Sequence, residues 1–261
     1  MHIIGYAQDS SRYNAAGVDL GGGYLMRQDL LFSPVIHADA SIPVYGLFYL
    51  RDARLYQQVQ VKFAGYTAMV DEPYPYILHG ETDTAFPHSF TFVDVDYTLG
   101  KRVMQNQHAQ LIVGGAFLTD VQAMYYVYGR ISSFGYYAQL RLGGFVQYRR
   151  HFGNKHMCAA SLQLPLVSWV ARSPYLVNDD AFIENIISHS GVRTFGALLA
   201  DGNLTSWHNL QTFDIDMQYR YSVSEHLNIG AQYSFACIHM QEPMQLLSFS
   251  NTLSASASFK F

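Results

Sequence analysis

An all-β fold, a closed antiparallel transmembrane β-barrel of about ten strands (roughly 8–12), is what this 261-residue sequence predicts. Three observations carry the prediction. Alternate residues divide into an apolar and a small polar set along most of the chain, the period of two that only a strand gives. Charged residues make up 14% of the sequence while Tyr (20) and Phe (17) are abundant, whereas an ordinary soluble domain carries about 25% charge. The stretches between candidate strands are by turns short and long, as they are when one end of a barrel is trimmed and the other is not.

The last stretch, Leu247 to Phe261, shows the period most clearly. Leu247, Phe249, Asn251, Leu253, Ala255, Ala257, Phe259 and Phe261 form one face, and Ser248, Ser250, Thr252, Ser254, Ser256, Ser258 and Lys260 form the other. A soluble sheet usually wets one face with Lys and Glu. Here the polar face is a ladder of hydroxyls with one charge, which suits a crowded lumen backed by lipid. This strand resembles the last strand of the outer-membrane β-barrel class, which typically ends in Phe and is read as a signal by the barrel-insertion machinery. The resemblance assigns Phe261 to that terminal position and Phe259 to the aromatic girdle, and it implies a multi-pass protein of the cell outer membrane in a Gram-negative-type envelope.

From the start, residues 1–12 open on MHIIGYAQ and are read as an export-signal remnant or an N-terminal extension. They lack the basic start and full apolar core of a complete signal peptide. Residues 13–261 are read as a single barrel domain, since no charge run, Pro-rich hinge or low-complexity tract divides them. Tyr13 to Met26 is the first strand, with Val18 and Leu20 opposing Asp19 and Gly21. Gln28 to Asp39 is expected to be a loop, because Pro34 and Pro43 punctuate it. Ser41 to Leu50 is the second strand and Leu55 to Met69 the third, where Val59, Val61 and Phe63 face away from Gln58, Gln60 and Lys62.

An exposed loop is expected from Val70 to His88, which holds three prolines and several acids. Ser89 to Gly100 follows, with Val93, Val95, Tyr97 and Leu99 outward and Phe92, Asp94, Asp96 and Thr98 inward. His108 to Leu118 is the fifth strand, and Thr119 to Ser133 is expected to be a Tyr-rich connection. Phe134 to Arg150 sets Gln139, Arg141, Gln147 and Arg149 against Leu140, Leu142, Val146 and Tyr148. Met157 to Ala171 is the seventh strand, before a long outer loop, 172–208. Within that loop Asp179 or Asp180 serves as an N-cap, Phe182, Ile183, Ile186 and Ile187 recur at helical spacing, and Gly191 is a stop, so a short helix is expected there. Asn209 to Val223 alternates most strictly of all, and Leu227 to His239 precedes the final strand. Cys158 and Cys237 fall on apolar faces as small side chains, not as a disulfide or a metal pair.

Ten strands is an even count, and the short links RDAR, GKRVMQNQ, HFGNKH and SEH all fall at the end where the last strand finishes. Short periplasmic turns and long extracellular loops follow. Two further runs, LLFSPVIHADASIPVYGLFYL and LQLPLVSWVARSPYL, are similar to a widespread, uncharacterised family of small outer-membrane barrels and bring no catalytic residues with them.

The inward faces collect a lumen polar network of Asp94, Asp96, Arg141, Arg149, Asp214, Asp216 and Arg220. A barrel of about ten strands is little wider than one that side chains fill, and unpaired charge is costly in a narrow lumen. The sequence therefore predicts a non-enzymatic barrel with a plugged or narrow lumen, standing alone or as an accessory subunit of a larger outer-membrane assembly. Two alternatives stay open. A surface hydrolase would use rim histidines, His189, His208 and His239 with His79 and His88, beside acids such as Glu81, Asp83, Asp179, Asp180 and Asp201 and the hydroxyl of Ser190. A small-solute porin would use the lumen charges as a filter. Phe182, Ile183 and Ile186 form a candidate partner-docking loop for other outer-membrane or surface proteins, which Tyr125, Tyr126 and Tyr128 extend unless they belong to the upper aromatic girdle. No catalytic set, cofactor or metal site is expected. A net charge of −4 without a basic stripe excludes nucleic acid as a partner, and outer-membrane lipid is the partner that the composition requires.

Overall fold

The computed structural model describes residues 13–69, 73–128, 131–173 and 191–261. Thirteen strands and one helix are present among them. Ten strands form the barrel: β1 (Tyr13–Asp29), β2 (Ser33–Asp52), β3 (Tyr56–Ala68), β6 (Ser89–Gln105), β7 (Ala109–Tyr128), β8 (Ile131–Phe152), β9 (His156–Arg172), β11 (Leu210–Ser222), β12 (Leu227–Met240) and β13 (Leu246–Lys260). Each pairs antiparallel with its sequence neighbour in the barrel, and β13 pairs with β1 from Lys260↔Ala15 to Leu246↔Asp29, which closes the wall. A small hairpin, β4 (Tyr74–Leu78) and β5 (Glu81–Ala85), stands apart, and β10 (Asn203–Ser206) pairs with the outer part of β9. The helix α1 spans Gly191–Ala200.

The wall is inside-out relative to a soluble barrel through its lower half. Val18, Leu20, Leu47, Val61, Tyr97, Phe117, Leu142, Met217 and Leu253 are exposed on the outer face. Asp19, Gln60, Thr98, Arg141, Gln232 and Ser254, one residue away along their strands or on neighbouring ones, are buried inside. Such a wall is stable only against hydrocarbon, because lipid solvates the apolar face and the ladder satisfies every backbone group.

Several strands outrun the membrane. A tilted strand needs about 9–11 residues to cross, yet β2 and β7 have 20 each and β8 has 22. The excess lies at the outer end, and two sequence expectations are corrected there. The segment from Gln28 to Asp39 is not a loop: β1 runs to Asp29, residues 30–32 turn, and β2 begins at Ser33. Pro34 is tolerated next to the first residue of β2, and Pro43 sits in the register shift between Ala40 and Val44, where no ladder bond is required. Nor is Thr119 to Ser133 a connection, since β7 and β8 stay paired up to Tyr128↔Ile131. Long loops at this end are therefore partly replaced by long hairpins. At the opposite end the turns are short, at residues 53–55, 106–108, 153–155 and 223–226.

Two smaller corrections concern the connections themselves. Within the expected loop 70–88, β4 and β5 meet at His79 and Gly80, whose φ values of 51° and 84° are those of a tight primed turn. In the loop 172–208, Gly191 is itself helical, within the described span of α1, rather than a stop. The expected helix, with Phe182, Ile183 and Ile186, lies outside the described residues, as do residues 1–12. The described helix is moored to the outer wall: the Trp169 indole N–H donates to the Leu199 carbonyl at 3.1 Å, and Leu199 packs with Tyr136, Ala138 and Ala171.

Candidate functional site

The lumen is layered along its axis. Nearest the short turns, an apolar cluster of Ala15, Leu50, Tyr56, Ile112, Ala116, Leu118 and Phe145 covers the inner face of β1, β2, β3, β7 and β8, and Gln147, Ser161 and Gln218 face Tyr56 and Phe145 across a small cavity. Beside it Asp52, buried at the end of β2, receives an Arg149 N–H at 2.7 Å and a second ion pair from Arg102. The Arg149 guanidinium also lies 4.6 Å over the Tyr56 ring, so both its charge and its flat face are used.

The middle layer is polar. Arg141 on β8 donates to Asp214 on β11 at 2.6 Å. Lys62 on β3 reaches Ser234 at 3.2 Å and Asp216 at 3.7 Å, and Asp216 also accepts from Ser234 at 2.6 Å and Gln232 at 3.3 Å. Asp94, Asp96 and Asp120 line the same cavity of about 80 Å³, and a second cavity of about 40 Å³ lies toward Tyr56 and Phe145. Spaces of this size hold a few water-sized molecules and no solute. Asp214→Asn is expected to lower stability by about 1–2 kcal/mol, because Asp94, Asp96 and Asp120 remain beside Arg141 and carry part of its neutralisation. A urea titration of the protein in lipid vesicles measures it.

Above this, side chains link across the lumen in one chain. Arg172 and Arg27 both donate to Asp29, at 2.5 and 3.0 Å, and Arg27 donates to Gln122 at 2.6 Å. Gln122 and Gln139 donate to Asp120 at 2.8 and 3.1 Å, and the Tyr137 hydroxyl donates to Gln139 at 3.0 Å. An outer apolar layer then seals the mouth, with Leu25, Phe32, Phe90, Met124 and Tyr126 among its members. Phe32, from the turn between β1 and β2, folds inward and stacks on Tyr126 with ring centroids 4.9 Å apart. Gly135 gives it room, since a Cβ there would lie 2.7 Å from the Phe32 ring. Tyr126, expected at the girdle or on a docking surface, is thus fully buried in the lumen, whereas Tyr125 faces outward.

The structure divides the predicted network of seven residues between these layers. Asp94, Asp96, Arg141, Asp214 and Asp216 share the middle cavity. Arg149 belongs to the lower Asp52 cluster, and Arg220 bonds to Gln218 at 3.1 Å. Of the rim histidines, His189 lies outside the described residues, His208 is exposed in a turn, and His239 hydrogen-bonds Gln211 at 2.8 Å. They do not form an acid–base set with one another among the described residues.

One such set was not foreseen. His37, Asp39 and Ser41 occupy alternate positions of β2, and His88 meets Asp39 at 2.6 Å. The His37 and His88 rings are in edge contact at 4.5 Å, under Phe90 and Tyr126. The signal is present as His-x-Asp-x-Ser in HADAS, but a loop ending at Asp39 and a strand beginning at Ser41 divide the three residues and remove the alternation that aligns them. Asp39 and Ser41 are 0% and 1% exposed, so the dyad has a buried carboxylate and a buried hydroxyl behind an imidazole near the mouth. Among the described residues no three His, Cys, Asp or Glu side chains are arranged to hold a metal ion.

No family model matches the chain, and no curated protein matches it by sequence. By structure it is similar to the outer membrane protease OmpT from Escherichia coli, with a TM-score of 0.52 at 5% identity, covering 96% of this chain and 97% of that one. Neisserial surface protein A matches at a TM-score of 0.39 and 11% identity, covering 95% of this chain and 99% of that one. Ail, the attachment invasion locus protein of Yersinia pestis, matches at 0.31 and 9%, again covering 95% and 99%. The first of these likenesses bears on the fold, and on the fold alone.

Proposed function

We propose that this outer-membrane β-barrel is a closed, non-conducting wall protein without catalytic activity, whose lumen serves to hold rigid the hairpins that stand above the membrane. The carrying observation is the outer apolar layer around Phe32, to which every barrel strand contributes, above an ion-paired middle that leaves only small cavities. An ion crossing this lumen would have to shed water at that layer, which costs far more than thermal energy. A porin reading requires a continuous wet path, and the two cavities in the lower and middle lumen hold about 40 and 80 Å³. In planar bilayers the purified protein is expected to give no discrete conductance steps; steady open channels at low voltage would overturn the reading.

One observation favours a second reading, a hydrolase at the mouth: the 2.6 Å contact of His88 with Asp39, in which a carboxylate orients an imidazole. Burial of Ser41 and Asp39 weighs against it, since a nucleophile must reach its substrate. Purified protein is expected to turn over neither fluorogenic peptides nor phospholipids. Turnover that falls at least about a hundredfold in His88→Ala would replace the first reading with the second.

A further inference from the structure

The end of the barrel with the short turns holds a feature that neither reading uses. Below the layer of Tyr56 and Phe145 the lumen opens into a vestibule of about 610 Å³. Its lining includes Arg220 from β11, Lys260 from β13 and Lys155 from the β8–β9 turn, with His151, Tyr13 and one carboxylate side chain, Glu225. None of the three cations has a carboxylate within ion-pair distance among the described residues. Arg220 is only 9% exposed and its hydrogen-bond partner is the neutral Gln218. Lys260 lies 5.3 Å over the Tyr13 ring. The backbone oxygen of Phe261 accepts from the Asn14 amide at 3.0 Å.

Elsewhere this barrel pairs its buried cations. Arg27, Arg141, Arg149 and Arg172 each meet a carboxylate at 3.0 Å or less. A buried guanidinium left without one is expensive, unless an anion from outside completes it. Three cations around one concavity, with a planar donor fork at its back, fit a tetrahedral oxyanion that accepts several charge-assisted hydrogen bonds. We propose that the vestibule is a binding site for a phosphate-bearing anion, with Arg220 and Lys260 as its principal donors and Lys155 at its entrance. Above it the lumen narrows to cavities of about 40 and 80 Å³ lined by carboxylates, so the anion binds and is not conducted. Phosphate can reach it from two sources. One is a soluble phosphate in the periplasm. The other is the headgroup of a phospholipid in the adjoining leaflet, because His226 in the vestibule wall stacks on Phe259, 5.6 Å away, and Phe259 and Phe261 face the lipid at the same rim.

The test uses full-length protein refolded in a zwitterionic detergent at low salt, titrated with inorganic phosphate by calorimetry, and the same protein in nanodiscs of phosphatidylglycerol or phosphatidylcholine, compared by thermal midpoint. Lys155→Gln, at an exposed turn, keeps the test readable if Arg220→Gln or Lys260→Gln fails to fold. Expected is phosphate binding that weakens about tenfold or more in Arg220→Gln and Lys260→Gln, less in Lys155→Gln, and that falls with added salt. Stabilisation by phosphatidylglycerol alone, lost in the same variants, assigns the site to a lipid headgroup. If neither anion affects the wild-type protein, or if all variants respond as the wild type does, the site does not exist.

Discussion

Asp52→Asn is expected to destabilise the barrel more than the loss of any carboxylate of the middle cavity, by about 3–5 kcal/mol. Asp52 is the meeting point of Arg102 and Arg149. Asn keeps the shape and one acceptor, so what is lost is the charge. Two guanidinium groups then face each other in a narrow, poorly solvated space, where breaking one side of a buried pair leaves the other uncompensated. The middle of the lumen behaves differently. There Asp94, Asp96, Asp120, Asp214 and Asp216 outnumber Lys62 and Arg141 around one cavity, so removing one carboxylate leaves neighbours to share the cation. The urea midpoint of vesicle-reconstituted Asp52→Asn should therefore lie well below that of Asp214→Asn, and Arg102→Gln should recover part of the loss when combined with Asp52→Asn. Equal midpoints for the two single variants would mean that the lower cluster is not held by its ion pairs.

The contrast between these clusters also explains which parts of the fold were legible in the sequence. Within the membrane one rule governs every strand: lipid takes the apolar face, and the lumen takes the polar one. Phe213 to Ser222 obeys it throughout and Leu247 to Lys260 with the one exception of Asn251, which faces outward and accepts from the Tyr233 hydroxyl at 2.6 Å, so their faces are readable residue by residue. Above the membrane the rule reverses, because the outer surface meets water and the interior becomes a conventional core. On β7 the inward series passes from Asp120 and Gln122 to the buried Met124 and Tyr126, while Tyr125 turns outward. The alternation loses its sign there and looks like a connection. The start of β2 is hidden by its prolines instead: inward His37, Asp39 and Ser41 alternate with an apolar outward set, Ile36, Ala38, Ala40 and Ile42, but Pro34 and Pro43 bracket the run and read as loop punctuation. Register shifts, at Ala40 to Val44 and at Leu142 to Gly143, move the faces by one residue without any mark in the sequence pattern. The cations of the vestibule were each readable as inward or turn residues. Their lack of partners was not, since pairing depends on which strands meet across the lumen.

Phe32→Ala is expected to cost about 3–5 kcal/mol, the range for removing a large aromatic from a packed core, although Phe32 stands in a three-residue turn that sequence alone places in water. The ring is 6% exposed, stacked on Tyr126 and set against the bare backbone of Gly135. Among the described residues it is the one aromatic of the outer layer that comes from a connection, so it ties the β1–β2 turn to the interior of β7 and β8. Truncation leaves a cavity between Tyr126 and Gly135 that the strand ladders cannot collapse, because the wall is fixed by its hydrogen bonds. Gly135→Leu should act in the same direction by displacing the ring rather than deleting it. Conductance should stay absent in Phe32→Ala, since the rest of the outer layer and the ion-paired middle still fill the lumen; that result, with a lowered urea midpoint and increased protease sensitivity of the β1–β2 turn, separates a structural cap from a gate. A variant of unchanged stability that conducts steadily would show that Phe32 alone stands between the outside and an open pore.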